Sequence, residues 1–288
     1  MDTIRMTATA KINLALDVLK RRADGYHEVR MIMQMIQLHD HIDLERIPEP
    51  GVQLSCSVPA LPTGEENIAY RAARRMLETY CPEGGVRIHI DKRIPIAAGM
   101  AGGSTDCAAV LEGINILFSL GLSRKQLMQE GLQLGADVPF CLMKQTALAE
   151  GIGEVLTPVP PLPDCPIVIA RPPLDISTGH VYQSLHLDDQ LRHPDVDGMI
   201  RALEKGSLDE IARHLGNVLE SVTLTEHPVI ALIKQHILEA GALGTLMSGS
   251  GPTVFGLFDD IERARHACKA IEQEGLASHI FLTGPARF

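Results

Sequence analysis

Residues 95–107 read "PIAAGMAGGSTDC" and lead directly into the apolar run "AAVLEGINILF". The small residues in this stretch, with glycine at positions 99, 102 and 103, let several backbone N–H groups converge on one anion. Apolar residues between positions 110 and 118 recur at helical spacing, and Ser104, Thr105 and Asp106 are all suitable N-cap residues. The stretch therefore predicts a flexible loop that ends at the N-terminus of a helix.

Phosphate suits such a loop, because the dipole of the following helix also attracts an anion. A glycine loop also serves as a simple tight turn, and the loop alone leaves both interpretations open. The chain contains no G-x-x-x-x-G-K-[ST] pattern, and its glycines do not fit G-x-G-x-x-G. A phosphate site here would belong to another class of nucleotide-binding protein.

Composition restricts the possible partners. The 288 residues suffice for one large domain or two closely packed ones, and their 45% hydrophobic content indicates a globular protein. A formal charge of −10 opposes binding to nucleic acid or to an acidic membrane, and the absence of tryptophan disfavours stacking platforms for bases. We expect neither nucleic-acid nor membrane partners.

The cysteines and the N-terminus indicate the compartment. Six cysteines lie far apart without a C-x-x-C pattern, which predicts reduced thiols rather than a zinc site. The stretch "MDTIRMTATAK" lacks the apolar segment of a signal peptide, and no apolar run is long enough to span a bilayer. We therefore expect a cytoplasmic protein.

Helices and strands are mixed along the chain without strict alternation. "TATAKINLALDVLK" alternates as a half-buried strand does, with Lys11, Asn13 and Asp17 on its polar face. Further strands are predicted at "VQLSCSV", "VRIHID", "IVIAR", "GTLMS" and "TVFGLF". Helices are predicted at 67–80, after the glycine loop, at 123–135 with a stop at Gly135, and near 208–220, 228–240 and 261–274.

A proline-rich stretch marks the best candidate boundary between domains. "LTPVPPLPDCP" at 156–166 contains five prolines, which exclude a continuous helix and disfavour a central strand. We predict an α+β protein with two lobes, an N-terminal domain at 1–155 and a C-terminal domain at 156–288.

Three further features bear on function. "SGSGPTVFG" at 248–256 is a second small-residue loop between two predicted strands, which suits either a hairpin turn or close approach to a ligand. In "GADVPF", the position of Asp137 suits either the cap of a following helix or a functional site. Lys11 is either a surface lysine or a charged residue of the same functional site. One glycine loop in each half favours a ligand held in a cleft between lobes.

These motifs occur in the order "AKINLALDVLKRRADGYHEV", "PIAAGMAGGSTDCAA", "GADVPF" and "SGSGPTVFG", and in that order the chain resembles the GHMP kinase superfamily over nearly its whole length. The resemblance implies a two-lobed fold with the active site in the interlobe cleft. It implies ATP and Mg²⁺ as cofactors, with a carboxylate partner for the metal left unidentified. The implied reaction phosphorylates the 2-hydroxyl of a cytidine diphosphate-linked methylerythritol, a step in non-mevalonate isoprenoid precursor synthesis.

The resemblance also assigns residues to roles. Lys11 and Asp137 are implied to flank the acceptor hydroxyl, with Asp137 taking or orienting its proton and Lys11 stabilising charge. Positions that match ATP-binding residues are Pro95, Ala98, Gly99, Gly102, Gly103, Ser104, Thr105, Asn67 and Asn115. Positions that match substrate-binding residues are Asn13, Tyr26, His27, Thr178, Tyr182, Gly249 and Ser250.

The chain departs from the family pattern inside the first loop. The family commonly has glycine where this chain has Ala97 and Ala101, and leucine where it has Met100. Because a methyl group disfavours positive φ, we expect the grip on the phosphates to differ in detail. The reacting pair is not affected.

Two alternatives remain open at this point. A GHMP kinase for another small alcohol, such as homoserine or mevalonate, would share both glycine loops; Tyr26, His27 and Tyr182 argue against it. A catalytically idle nucleotide-binding relative would act as a sensor, but the intact Lys11 and Asp137 disfavour it. We expect a monomer or a weak homodimer.

Overall fold

The alternating stretch around Lys11 forms a strand, as its pattern predicts. In the computed structural model, which describes residues 2–188 and 191–288, the strand runs from Thr3 to Arg21. Its middle part, residues 8–18, is buried on both faces rather than on one. The expectation of a half-buried strand is therefore wrong, because the polar face is covered as well and its side chains bond within the protein.

The elements follow one another in a mixed order. The strands are β1 (Thr3–Arg21), β2 (His27–Ile47), β3 (Gly51–Cys56), β4 (Gly85–Asp91), β5 (Ala147–Gly151), β6 (Val155–Pro158), β7 (Ile167–Arg171), β8 (Gly216–Asn217), β9 (Gly244–Met247), β10 (Val254–Leu257) and β11 (His279–Thr283). The helices are α1 (Ile68–Tyr80), α2 (Gly102–Leu117), α3 (Arg124–Leu132), α4 (Val138–Met143), α5 (Thr178–Ser184), α6 (Val196–Lys205), α7 (Leu208–Arg213), α8 (Glu220–Glu226), α9 (Pro228–Glu239) and α10 (Ile261–Gln273).

The chain divides into two compact units, each made of several segments. The first unit contains residues 2–10, 39–96 and 101–144, and the second contains 11–38, 97–100 and the described part of 145–288. The long strands β1 and β2 contribute to both. The predicted domain boundary between residues 155 and 156 stays a prediction.

The first unit joins a small sheet to helices. β2 pairs antiparallel with β4 from His41 to Ile47, and β4 pairs parallel with β3. Asn67 caps α1 by accepting a hydrogen bond from the backbone N–H of Ala69, which stabilises the first turn of that helix. A Cβ atom at Gly113 would lie 2.8 Å from Leu44, so glycine lets α2 pack closely on β2.

The second unit contains the other pairings. β2 pairs antiparallel with β5 and β5 with β6, while β1 pairs parallel with β8. A separate four-stranded antiparallel sheet has the order β11-β7-β10-β9. The proline-rich stretch begins inside β6, which pairs with β5 and with no other strand of the described residues. Its edge position agrees with the expectation that the prolines disfavour a central strand.

Three local predictions were wrong. α3 ends at Leu132, and Gly135 instead lies in the turn that follows, where its N–H bonds to the carbonyl of Gly131. The helix predicted near 208–220 is interrupted after Arg213, because Gly216 and Asn217 pair with β1 before α8 begins. α2 begins earlier than its predicted caps, as described below. No helix in the described ranges is both long and apolar enough to cross a bilayer.

Candidate active site

Lys11 lies in the buried part of β1, with 5% of its surface exposed. Its ammonium group donates hydrogen bonds to Oδ1 of Asn13 at 2.8 Å and to the carbonyl of Gly99 at 3.0 Å. The backbone N–H of Lys11 also bonds to the carbonyl of Met100 at 3.1 Å. These oxygens set the direction of the ammonium group. Lys11 is thus a buried, oriented side chain beside the first loop.

The first glycine loop, residues 95–104, contains three residues in the left-handed region of backbone space. They are Ala97 at φ 50°, Gly99 at φ 69° and Ala101 at φ 56°. A Cβ atom at Gly99 would collide with the carbonyl oxygen of Ser248, so this position requires glycine. The two alanines adopt the conformation that their methyl groups disfavour, and the loop holds them there.

α2 begins at Gly102, and its N-cap residue is Ala101, which makes no side-chain capping hydrogen bond. The expectation that Ser104, Thr105 or Asp106 caps this helix was wrong. The left-handed turn at Ala101 starts the helix early, so Thr105 already donates its N–H to the carbonyl of Ala101. The N–H groups of the first turn are left without a side-chain cap, which suits an anionic ligand.

A buried charged cluster lies behind this helix start. Lys92 donates hydrogen bonds to Asp40 at 2.5 Å and to Asp106 at 2.6 Å, and all three side chains are almost fully buried. Burial would lower the pKa of Lys92, but the two carboxylates outweigh it and raise this pKa. Burial raises the pKa of Asp106 to about 8 against the opposing charge of Lys92. One ammonium group cannot balance two buried carboxylates, so Asp106 favours its neutral form.

The second glycine loop, residues 248–253, is buried throughout. Ser248 donates its hydroxyl to the carbonyl of Gly99 at 3.0 Å, and the hydroxyls of Ser250 and Thr178 lie 2.8 Å apart. A Cβ atom at Gly249 would lie 3.6 Å from Oδ1 of Asn13. The second unit therefore brings together Lys11, Asn13, the Gly99 carbonyl and this loop.

His27 and Tyr182 also meet in the second unit. Their ring centroids are 5.3 Å apart with an interplanar angle of 42°. Burial lowers the pKa of His27, and the charge of Arg21 lowers it further, so the ring is neutral at pH 7. The neighbouring Tyr26 is 61% exposed at the start of β2. The structure thus brings two of the predicted substrate-binding residues together, with a neutral imidazole that carries one donor and one acceptor.

Asp137 occupies the N-cap position of α4 but makes no side-chain capping hydrogen bond there. The carboxylate of Asp137 therefore does not cap α4, although its position in the sequence suggests that role. Asp137 belongs to the first unit and Lys11 to the second. Their shared action on one hydroxyl stays a prediction.

The side chains of Asn67 and Asn115 are already engaged. Asn67 caps α1 and donates to the carbonyl of Pro62 at 2.8 Å. Asn115 bonds through both ends of its amide to the backbone of Leu122. Their approach to adenine stays a prediction. To contact the base, either side chain would have to break these hydrogen bonds or share them with it.

Residues 67–145 match the sequence profile of the GHMP kinases N terminal domain, and residues 199–276 match that of the GHMP kinases C terminal. The chain belongs to the GHMP kinase family. The family performs ATP-dependent phosphoryl transfer to small molecules, so the predicted α+β fold, the kinase activity and the use of ATP are confirmed.

Relatives of this GHMP kinase cover it almost completely. It is 50% identical over 283 residues to a protein of Lachnoclostridium phytofermentans named 4-diphosphocytidyl-2-C-methyl-D-erythritol kinase, covering 98% of this chain and 97% of that protein. A crystal structure of 4-(cytidine 5'-diphospho)-2C-methyl-D-erythritol kinase matches with a TM-score of 0.85 at 34% identity, covering 99% and 100% of the two chains. A homoserine kinase from Cytophaga hutchinsonii shares the fold, with a TM-score of 0.78 at 22% identity over 98% and 93%.

Sequence reasoning missed several residues that shape this region. Asp40 and Lys92 were not singled out, because 52 residues separate these two partners and no local pattern joins them. Ser248 was passed over although it starts the second glycine loop. Asn217 lay in a stretch predicted to be helical. No local signal marks Asp40 or Lys92, because both stand beside other polar or charged residues.

Proposed function

We propose that this chain transfers the γ-phosphoryl group of ATP to the 2-hydroxyl of 4-diphosphocytidyl-2-C-methyl-D-erythritol, a step in non-mevalonate isoprenoid precursor synthesis. The observation that carries the proposal is the His27–Tyr182 pair, which offers an aromatic face and a neutral imidazole to a base. The relatives that cover nearly the full chain carry the name of this kinase and support the same substrate.

Cytosine recognition follows from the chemistry of the pair. Cytosine presents an amino donor and a ring acceptor, where uracil presents a carbonyl and an N–H. A site whose donor and acceptor are held to match one of these patterns leaves polar groups unpaired with the other, and His27 would supply a donor or acceptor to such a site. Asn13, Tyr26, Thr178, Gly249 and Ser250 complete the proposed substrate contacts.

The phosphates of ATP bind at the first glycine loop and the start of α2. The uncapped N–H groups of the first turn and the helix dipole favour negative charge there. Mg²⁺ with a nucleotide needs only one or two protein oxygens, and the hydroxyl of Ser104 in that turn fits this need. When bound, the ion neutralises phosphate charge.

Lys11 and Asp137 perform the reacting roles. Lys11 presents an ammonium group whose direction is set by Asn13 and Gly99, and this charge stabilises the phosphoryl group during transfer. Asp137 orients the acceptor hydroxyl or takes its proton. Positioning and charge neutralisation supply most of the catalysis in phosphoryl transfer.

An acceptor panel tests the substrate. ATP consumption is measured with the cytidylyl compound, its uridylyl analogue, unsubstituted methylerythritol, homoserine and mevalonate. We expect a strong preference for the cytidylyl compound, and a loss of roughly ten- to a hundredfold in its kcat/KM in His27→Ala, with ATP affinity near normal.

Each other outcome points elsewhere. Equal use of the cytidylyl and uridylyl compounds would refute cytosine recognition, and preferential use of homoserine or mevalonate would identify another kinase of the family. ATP binding without turnover of any acceptor would indicate an idle relative.

We further propose that the enzyme works in the cytoplasm as a monomer or weak homodimer, without nucleic-acid or membrane partners. The net charge of −10 supports the last point, since anionic surfaces would repel the chain. None of the six cysteines, all of which lie in the described residues, forms a disulfide, as a reducing compartment allows.

A further inference from the structure

Asn217 has all its polar atoms engaged beside the second glycine loop. It lies on β8 with 7% of its surface exposed, and its Nδ2 group donates to the carbonyls of Met247 and Gly249, both at 2.8 Å. Its Oδ1 atom accepts from the N–H of Leu219 at 3.0 Å. Two carbonyls on either side of Ser248 are thus held by one amide.

Ser248 connects this amide to Lys11. Ser248 is fully buried, and its hydroxyl donates to the carbonyl of Gly99 at 3.0 Å. The same carbonyl accepts from the ammonium group of Lys11 at 3.0 Å. Since a Cβ atom at Gly99 would collide with the Ser248 carbonyl, the two backbones are in direct contact. A shift of Ser248 must therefore move the carbonyl that orients Lys11.

The end of β9 depends on this support. β9 is the edge strand of its sheet, so the outer N–H and C=O groups of Met247 have no strand partner in the order β11-β7-β10-β9. The carbonyl bonds to Asn217, and the N–H bonds to Oε1 of Glu220 at 2.8 Å. Glu220 is itself fixed by Lys234 at 2.6 Å. The segment from β8 to α8 therefore hydrogen-bonds both the carbonyl and the N–H group of Met247, the residue that precedes the second glycine loop.

We propose that Asn217 is a positioning residue for Lys11, acting through Ser248 and the Gly99 carbonyl. The proposal rests on the proposed function, in which Lys11 stabilises the transferred phosphoryl group. Asn217 touches neither substrate. It sets the place of the second loop, and that loop sets the direction of the reacting ammonium group.

The expected signature is a loss of turnover without a matching loss of binding. Displacing a reacting group by about 1 Å costs up to roughly a hundredfold in rate. We expect Asn217→Ala to lower kcat by about ten- to a hundredfold, with KM for ATP changed by less than about threefold. KM for the acceptor should rise by a smaller factor than kcat falls, since Gly249 and Ser250 belong to its proposed contacts. Asn217→Asp keeps the acceptor for Leu219 but loses both donors, and should be as slow as the alanine variant.

Gln34 provides a matched control in the same unit. It is also buried and also makes three hydrogen bonds, to the backbone of Met35 and Leu162 and to the hydroxyl of Thr146. Gln34→Ala should lose a similar amount of stability, measured by thermal unfolding, while its kcat stays within about twofold of wild type. A comparable fall of kcat in this variant would reduce the Asn217 effect to general destabilisation and overturn the proposal.

A double-mutant cycle with Lys11→Ala separates the proposed role of Lys11 in phosphoryl transfer from the proposed positioning role of Asn217. If Asn217 acts through Lys11, the Asn217→Ala change costs less than about twofold once Lys11 is absent. A wild-type rate in Lys11→Ala would refute the proposed role of Lys11. If Lys11→Ala is slow but Asn217→Ala has a normal rate, the positioning role alone is refuted. The same holds if the rate losses of the two single variants multiply in the double variant.

Ser248→Ala tests the same connection to Lys11 if Asn217→Ala does not fold. This change removes one hydroxyl and leaves the Asn217 bonds intact. We expect kcat to fall by about three- to tenfold with KM unchanged, since one hydrogen bond to the Gly99 carbonyl is lost. A wild-type kcat in Ser248→Ala would overturn the proposed connection.

Discussion

The two glycine loops have similar composition but are held in different ways. The second glycine loop is buried throughout and is bonded to Asn217 and Thr178, and glycine occupies its left-handed positions, 249 at φ 59° and 251 at φ 85°. The first glycine loop exposes Ala97 and Gly103, uses alanine at two left-handed positions, and leads into an uncapped helix. The second loop is built into the protein interior, whereas the first leaves backbone N–H groups without a side-chain cap, where we propose that the phosphates of ATP bind.

This difference shows that a glycine can serve two purposes. In the second loop glycine avoids a collision with the protein itself, whereas in the first loop Gly103 leaves space open outside it. A substitution at Gly251 should therefore reduce stability, and one at Gly103 should weaken ligand binding. Three of the four predictions below test that division, and the fourth tests the buried cluster behind the first glycine loop.

Gly251→Ala should have the largest effect, on stability. A Cβ atom there would lie 2.6 Å from Sδ of Met247, and the residue would also be in left-handed conformation at φ 85°. Left-handed strain and overpacking together should lower the free energy of unfolding by about 2–3 kcal/mol. Chemical denaturation measures this.

Gly25 separates the two causes. It has nearly the same conformation, φ 87°, with nothing within 4 Å of an added Cβ. Gly25→Ala should cost only the strain, about 1 kcal/mol. Equal losses in the two variants would show that crowding in the second loop is not important.

Gly103→Val should weaken nucleotide binding instead. Its Cβ atom would meet only Ile68 at 3.5 Å, an ordinary contact, so the fold should be kept. The branched side chain fills the space proposed for the phosphates, and we expect the Kd of a non-hydrolysable ATP analogue to rise at least tenfold, about 1.4 kcal/mol. Calorimetry measures the affinity, and Gly64→Val, with open space and no role in the loop, is the control.

Gly102→Val is a poorer test of the same point. Its Cβ atom would lie 3.0 Å from Nζ of Lys92, so the buried cluster would be disturbed as well. Unchanged nucleotide affinity in Gly103→Val would return the first loop to the role of a simple turn. A loss of stability in Gly103→Val would contradict the division between the two glycine loops.

Local patterns predicted much of this architecture. The alternation around Lys11, the helix that Asn67 begins and the strands on both sides of the second glycine loop all follow from short-range periodicity. The strand β2 was not predicted, because both of its faces are buried in places and its apolar residues do not alternate regularly. The helix start at Gly102 depends on the left-handed turn at Ala101, which no propensity favours.

Long-range pairs could not be predicted for another reason. Lys92 bonds to Asp40 and Asp106, and Asn217 bonds to Gly249 of the second glycine loop, 32 residues away. Each partner is an ordinary polar residue within its own segment. Only the folded chain shows that burial makes these residues depend on one another.

The cluster behind the first glycine loop should make stability depend on pH. The folded protein raises the pKa of Asp106 from 3.8 to about 8, mainly through burial, so between these values the native state binds more protons than the unfolded chain. The free energy of unfolding from this group therefore falls as pH rises through that window. Asp106→Asn should remove this fall.

Denaturant unfolding at about pH 5 and about pH 8 measures the change. Asp43→Asn is the control, because the hydrogen bond from Arg5 lowers the pKa of Asp43 and its titration lies below the window. An Asp106→Asn variant with the same pH dependence as wild type would show that Asp106 stays ionised.

Replacing Ala97 and Ala101 by glycine should give the smallest effect. Both residues have positive φ, at 50° and 56°, which costs an L-residue about 1–2 kcal/mol each. Glycine relieves this strain but loses about 0.5–1 kcal/mol through the greater freedom of the unfolded chain. We therefore expect each change to raise the free energy of unfolding by less than about 1 kcal/mol. Ser119→Gly, at φ 54° outside both loops, should give a similar gain and serves as the control. A clear loss of stability in the alanine variants, with a gain at Ser119, would mean that the methyl groups of the first loop support the fold, and the contrast between a ligand-facing and a supporting loop would no longer hold.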